Sequence, residues 1–358
     1  MPLQVKLFAA DATGCGWYRC RVPSAAIASS GFDVESIVVH NDENPDHQLD
    51  VIEAGHIDDM HIVRVEDPQC DVVVLQRPMH RSLVEAIPHI QAHGVAVVVE
   101  IDDLFHRIHP GNPAYALSRP DLSPEMNITW LERAMSAADL ITVSTDLLAK
   151  FYGRFGPTQV VRNYVPESTL RKPVESDRVV FGWTGRTDTH AGDLDTIGRS
   201  LASAMLSMPT SEFFTVGDHR TVRTLGVPEK RSTSHAWLPV DQLAESIDAI
   251  GIGIVPLALN DFNAAKSWIK GLEYSARGIP FVAAPTPEYE RLHQMGAGDL
   301  ARTERKWETT LLKLALDADY RAERARSAYD VATELTIENN VGKWAQAWAD
   351  ARSLRRGG

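Results

Sequence analysis

Cysteine is scarce: the 358 residues hold three, Cys15, Cys20 and Cys70. So sparse and odd a set builds no disulfide framework and lacks the paired spacing of a zinc site, which suits a reducing compartment. Positive charge is also in short supply. Against 48 aspartates and glutamates stand 36 lysines and arginines, a formal net charge of −12. That balance opposes a broad footprint on nucleic acid or anionic lipid and leaves room for a local basic pocket. No apolar run reaches the ~18 residues of a membrane-spanning helix. The opening Met1 to Ala10 carries neither a signal-peptide apolar core nor a small-residue cleavage pattern. The expectation is a cytoplasmic protein without a membrane span. With 44% hydrophobic and 23% charged residues the chain sits near the globular average, so disordered, collagen-like and coiled-coil readings fall away.

What is present is alternation. Short apolar runs at Val5 to Ala10, Val34 to Val39, Asp71 to Gln76, Val95 to Ile101 and Leu140 to Val143 read as strands. Between them Pro23 to Ser30, Arg81 to Ala92 and Pro124 to Ala138 have helical periodicity, the pattern of parallel strands joined by crossover helices. A short strand near Val160 to Asn163 and a polar connection from Tyr164 to Ser168 follow. The pattern then begins again: a strand at Val179 to Trp183, a helix over Asp193 to Met208, a strand at Glu212 to Val216, and further strands or helices through Leu243 to Ile247, Gly251 to Pro256, Ala264 to Arg277 and Pro280 to Ala284. The class is α/β, with two Rossmann-like, doubly wound domains facing each other across a cleft: residues 1–165 and 166–330. Residues 331–358 form a C-terminal helix and tail that could cross back to the first domain, ending in a solvated Arg355-Arg356-Gly357-Gly358.

The most informative segment runs from Asn260 to Ala284. Asp261 or Asn263 caps a helix start, Gly278 takes the left-handed position after its end, and Pro280 stops it before a buried strand. One helix over Ala264 to Arg277 is expected, with Lys266 in its first turn beside amides that favour an anion. Lys266, Lys270 and Glu273, at i, i+4 and i+7, share one face, with Ser267 next to it. A phosphate at the helix start and a sugar hydroxyl two turns later fit that face; a surface ion pair between Lys270 and Glu273 is the plainer alternative. A second segment, Val179 to Leu194, runs from a strand through Gly185 and Arg186 to a helix. Such a loop lets amides approach a diphosphate while Arg186 supplies a guanidinium; an ordinary turn with an exposed arginine is the other reading.

In the first half, the loop Asp11 to Pro23 holds Gly14 and Gly16 but no third glycine at dinucleotide spacing, which disfavours a Rossmann oxidoreductase. Its Tyr18 and Arg19 could meet a ligand, or with Trp17 plug the sheet edge. Asp102 and Asp103 follow directly on a buried strand. They could act on the reacting group, hold a metal together with His106 and His109, or cap the next turn. Asn163 ends the last strand of this half, where it serves as a turn-former or a cleft contact. His56 and His61 lack zinc spacing and read as surface residues.

On these segments the sequence resembles the nucleotide-sugar glycosyltransferases of GT-B fold, family four in particular, including versions encoded by actinobacterial phages. Such enzymes carry two glutamates in the helix, then a small residue, Gly and Pro-Val-Val-Ala. Glu273, Gly278, Pro280, Phe281, Val282 and Ala283 match the second half of that pattern, and Ala265 stands in the first glutamate's place. An arginine at the position of Arg186 matches, while no lysine follows it before Asp193. The resemblance implies transfer of a sugar from a nucleoside diphosphate donor, UDP- or GDP-linked first among the choices, with retention of configuration and no metal. Glu273 would take ribose or sugar hydroxyls, and Gly185, Arg186, His190, Lys266, Ser267 and Lys270 the diphosphate. Asp102 and Asp103 would replace the His-Asp or His-Glu pair near the reacting sugar, and Gly14, Gly16, Tyr18, Arg19 and Asn163 would border the acceptor side. The acceptor is expected to be a protein or small molecule, with DNA ranked lower because the chain is acidic. If phage-encoded, the protein would work in the host cytoplasm. A nucleotide-sugar epimerase of related fold and a non-catalytic sugar-nucleotide binder are the rival readings.

Overall fold

A computed structural model describes residues 1–39, 54–58, 61–174 and 176–357. In chain order the first domain carries β1 (Leu3–Phe8), β2 (Val34–Val39), β3 (Ala54–Asp58), β4 (His61–Val65), β5 (Val72–Gln76), β6 (Ala96–Ile101), β7 (Leu140–Val143) and β8 (Thr158–Val160). The second carries β9 (Val180–Thr184), β10 (Glu212–Gly217), β11 (Ser232–Ala236), β12 (Ile252–Val255), β13 (Phe281–Ala283) and β14 (Asp299–Leu300). Two six-stranded sheets result, ordered β2-β1-β5-β6-β7-β8 and β11-β10-β9-β12-β13-β14, with every pairing parallel. The expected α/β class and two doubly wound domains are what the chain adopts. β6 is buried at every position, as a strand covered by helices on both faces must be.

The antiparallel hairpin β3–β4 stands outside both sheets and was not legible, since His56, Asp58, His61 and Arg64 interrupt its apolar residues. The side chains of His56 and His61 lie outside the described residues. The helix expected over Asp193 to Met208 is instead a 3-10 turn, Leu194–Ile197, and a helix, Ser200–Ser207, because Gly198 turns the chain at φ 53°. The helices after Thr303 end in Gly342–Gly357, which packs against β5, β6 and β7 of the first sheet. Arg352 reaches Asp71 at 2.7 Å and Arg355 reaches Asp139 at 3.5 Å, so the basic tail is partly tied down. Among the described residues no helix is long and apolar enough to cross a membrane.

Both sheets reverse strand order once, between β1 and β5 and between β9 and β12. In open parallel sheets that reversal opens a crevice at the carboxyl ends of the strands, where ligands bind. The loops there begin at Ala9, Arg77, Gly185 and Pro256.

Candidate active site

At the second reversal, Asp193 ties two loops together. Its buried carboxylate accepts from His190 Nδ1 (2.8 Å), Ala258 N (2.9 Å) and Asn263 Nδ2 (2.6 Å). Burial lowers the His190 pKa, reinforced by Lys270 and Lys266 and opposed by the bond to Asp193. Gly185 leaves β9 beside it, with a hypothetical Cβ only 3.3 Å from the His190 ring. Lys270 donates from Nζ to the carbonyl of Thr184 and lies 3.2 Å from its hydroxyl, at the tip of β9. Burial holds the Lys270 amine below the ordinary lysine range, against the pull of Glu273. Burial raises the Glu273 carboxyl, which Lys270 and a 2.7 Å bond from Tyr18 Oη partly offset. Next to that bond is a cavity of about 210 Å³ lined by Trp17, Val165, Val240, Leu243 and Ile247.

The single expected helix is broken. Asn260, rather than Asp261 or Asn263, caps a short turn, Asp261–Ala264, through a bond from Asn263 N, and a separate helix runs Ile269–Ala276. Lys266 therefore sits in the connection and Lys270 takes the first turn. The break follows from what the other domain does to this stretch. Phe262 and Ala265 are packed into the first domain's apolar cluster with Leu104, Phe105 and Ile108. Ala265 is 1% exposed, so the alanine at the first glutamate's place fills a site where a carboxylate would lose its water. Gly278 ends the second helix at φ 64°, as the spacing predicts, and a Cβ there would stand 2.6 Å from Pro173.

Across the cleft, at the first reversal, the loop after β1 is organised by Asp11. Its Oδ1 accepts from Thr13 N, Thr13 Oγ1 and Gly16 N, and its Oδ2 pairs with Arg77. Any side chain at position 16 would place Cβ 1.9 Å from the Asp11 carbonyl oxygen, so only glycine fits. Gly14 has open space around it. The loop feeds a π-helical turn, Trp17–Arg21, that sends Tyr18 to Glu273 and Arg19 the other way. Arg77 adopts φ 48°, rare outside glycine, at the end of β5.

Asp103 faces Lys266 at 3.6 Å across the domain boundary. Burial, with Asp102 beside it, raises the Asp103 carboxyl despite Lys266. Burial works against the Lys266 charge, but Asp103 and Asp193 outweigh it and hold its pKa above the ordinary value. Asp102 Oδ1 is buried without a hydrogen-bond partner among the described residues. His106 turns away, bonding Glu132 at 2.9 Å among Phe151 and Phe155, and His109 Nδ1 accepts from Gly111 N. The two histidines thus do not join the aspartates, and among the described residues no group of three His, Cys, Asp or Glu is placed to hold a metal ion.

Lys266, Lys270, Glu273, His190, Gly185, Tyr18, Asp102 and Asp103 are brought together. Arg186 stays at the rim: its side chain is 53% exposed and clasps Asp188 at 2.7 Å, although its carbonyl caps the turn to His190 N. Arg19 is buried in the first domain and paired with Glu100 at 2.7 Å, away from the cleft. Ser267 Oγ accepts from Asn163 Nδ2 at 2.9 Å. Sequence reasoning passed over Asp11, Arg77, Glu100 and Asp193. Glu100 was the most legible of these, a carboxylate inside the apolar run Val95 to Ile101 that a buried strand tolerates only with a partner. Cys15, near Asp102, is held well above the ordinary thiol range by burial, which makes it a poor nucleophile.

No family model and no curated protein matches the chain. Solved structures do. Sucrose-phosphate synthase from Thermosynechococcus elongatus is 14% identical over 99% of this chain and 100% of its own, with a TM-score of 0.62. Anabaena Alr3699/HepE in complex with UDP is 15% identical over 98% and 100%, with a TM-score of 0.64. An alpha-glucosyltransferase in complex with UDP and a 13-mer DNA containing a HMU base is 14% identical over 98% and 100%, with a TM-score of 0.63. At that identity the likeness speaks to architecture, and it spans both sheets, the crossing between them and the returning helix: the chain has the GT-B fold over nearly its whole length.

Proposed function

We propose that this protein is a metal-independent, retaining glycosyltransferase of the family-four kind, working in the cytoplasm. It takes a sugar from a nucleoside diphosphate, UDP- or GDP-linked, and passes it to a protein or small-molecule acceptor. The observation that carries the reading is the convergence of Lys266, Lys270 and His190 at the second-sheet reversal, opposite Asp102 and Asp103 at the end of β6. Two lysines in a water-poor crevice match a diphosphate in charge, and fixed cations stabilise the charge that grows on it as the sugar departs. Glu273, two turns' reach from Lys266 and beside the apolar cavity, accepts from ribose or sugar hydroxyls in exchange for Tyr18. When a diphosphate engages Lys266, Asp103 loses its partner and, with Asp102, whose Oδ1 makes no hydrogen bond among the described residues, faces the sugar carbon. The fold's cleft shields that carbon from water.

The test is a thermal-shift screen of the full chain against uridine, guanosine, adenosine and thymidine diphosphate sugars. One donor is expected to raise the midpoint, since a bound ligand stabilises by mass action. With that donor, chelator present, mass analysis of candidate acceptors is expected to find a glycosylated product with the donor's anomeric configuration. A donor isomer with no acceptor adduct makes the protein an epimerase, and binding without turnover makes it a sensor.

A further inference from the structure

The turn that carries Lys266 is gripped from the opposite domain. Thr145 Oγ1 donates to the Ala265 carbonyl (3.0 Å), Asn163 Nδ2 to Ser267 Oγ (2.9 Å), and Trp268 Nε1 to the Asn163 carbonyl (2.8 Å). Asn163 is 5% exposed and is itself anchored, its Oδ1 accepting from Arg19 Nη1 at 2.8 Å. Arg19 forks onto Glu100 at 2.7 and 2.9 Å, donates to the Val161 carbonyl at 2.5 Å, and lies over the Trp344 ring at 5.3 Å. Glu100 also accepts from Thr142 Oγ1 at 2.5 Å. A guanidinium has no acceptor, so Oδ1 must face Arg19 and the amide nitrogen must face Ser267. The orientation of one amide is thereby fixed by the first domain's central strands and imposed on the second domain's loop.

A buried ion pair is a weak source of net stability, but a bidentate fork fixes geometry well. We infer that Asn163 is a positioning residue for the donor: held by Arg19, it sets the turn 265–268, and through it Lys266 and the start of the helix bearing Lys270 and Glu273. The inference rests on the proposed donor site. Small displacements of binding groups are costly to affinity and rate, so loosening this turn acts on the diphosphate without touching it.

Calorimetric titration of the full chain with UDP, and with GDP in its place where the wild type does not bind UDP, tests it, using Asn163→Leu, Ser267→Ala, their double variant and Asn163→Asp. Each of the first two is expected to weaken UDP by about tenfold, and the double by no more than either alone, because both remove one link. Asn163→Asp is expected to recover affinity to within about threefold of wild type, since a carboxylate accepts from Arg19 and from the Ser267 hydroxyl alike. The thermal midpoint of Ser267→Ala should stay at the wild-type value, which separates positioning from a general loss of fold even where Asn163→Leu folds poorly. Unchanged UDP affinity in Ser267→Ala, losses that add in the double variant, or no recovery in Asn163→Asp overturns the inference while leaving the donor site standing. A wild-type chain that binds no nucleoside diphosphate overturns both.

Discussion

The two faces of the cleft are built on the same plan, and only the second carries lysines beside its carboxylates. Each is a parallel sheet with one reversal of strand order, and each has an aspartate, Asp11 or Asp193, that stitches its loops together. On the first face the carboxylates Asp102 and Asp103 remain; on the second the amines of Lys266 and Lys270 stand with His190, whose pKa burial lowers, and the carboxyl of Glu273. Geometry common to the fold supplies the crevice, and the sign of the charge in it decides which half of a reaction each side can serve. In the proposed function the second face holds the anion that leaves and the first meets the carbon that becomes electron-poor.

Removing a charge from one face should therefore leave the other face's task intact. The largest effect is expected for Asp102→Asn, which should lower turnover by about 100-fold while UDP affinity by calorimetry stays within about twofold. Equal losses in both would reduce Asp102 to a cap. On the other face Lys270→Ala should weaken UDP by roughly 10- to 150-fold, the worth of one charge-assisted hydrogen bond of about 1.5–3 kcal/mol. Gly16→Ala tests the scaffold beneath the first face. Forcing a Cβ onto the Asp11 carbonyl should cost about 1–3 kcal/mol and appear as a lower denaturation midpoint.

How much of this was legible in the sequence divides along the same line. The central strands of both sheets could be read because a strand buried on two faces is a continuous apolar run, as in Val95 to Ile101 and Leu140 to Val143, while the polar, largely exposed edge strand β11 and the two-residue β14 carry no such run. Lys270, Glu273 and Gly278 could be placed because helix and cap signals are local. What was not legible was whatever depends on the opposite domain. The break between Ala264 and Ile269 is bonded at Ala265 and Ser267 by Thr145 and Asn163, more than 100 residues away in sequence, and no local signal announces it. Arg19 read as a cleft cation because its partner Glu100 lies 81 residues on, hidden inside a strand. Arg186 read as a diphosphate clamp because nothing in a Gly-Arg pair tells that Asp188 will hold the guanidinium at the rim.

Two smaller effects sharpen the contrast. Lys270 must be protonated to hold a phosphate, and its pKa is depressed, so UDP affinity should fall as pH rises through a range below that of an exposed lysine. Lys270→Arg should move that alkaline loss beyond reach of the titration. Arg186→Ala should change UDP affinity by no more than about fivefold, since an exposed pair contributes about 0–1 kcal/mol. A larger loss would mean that Arg186 leaves Asp188 to join the lysines when the donor arrives.

The most direct measurement is a crystal structure of the full chain grown with UDP. Diphosphate oxygens are expected within hydrogen-bonding distance of Nζ of both Lys266 and Lys270, with Asp103 released from Lys266 and the Glu273 carboxylate on the ribose. A diphosphate lodged elsewhere, with Lys266 still paired to Asp103, would contradict the proposed donor site.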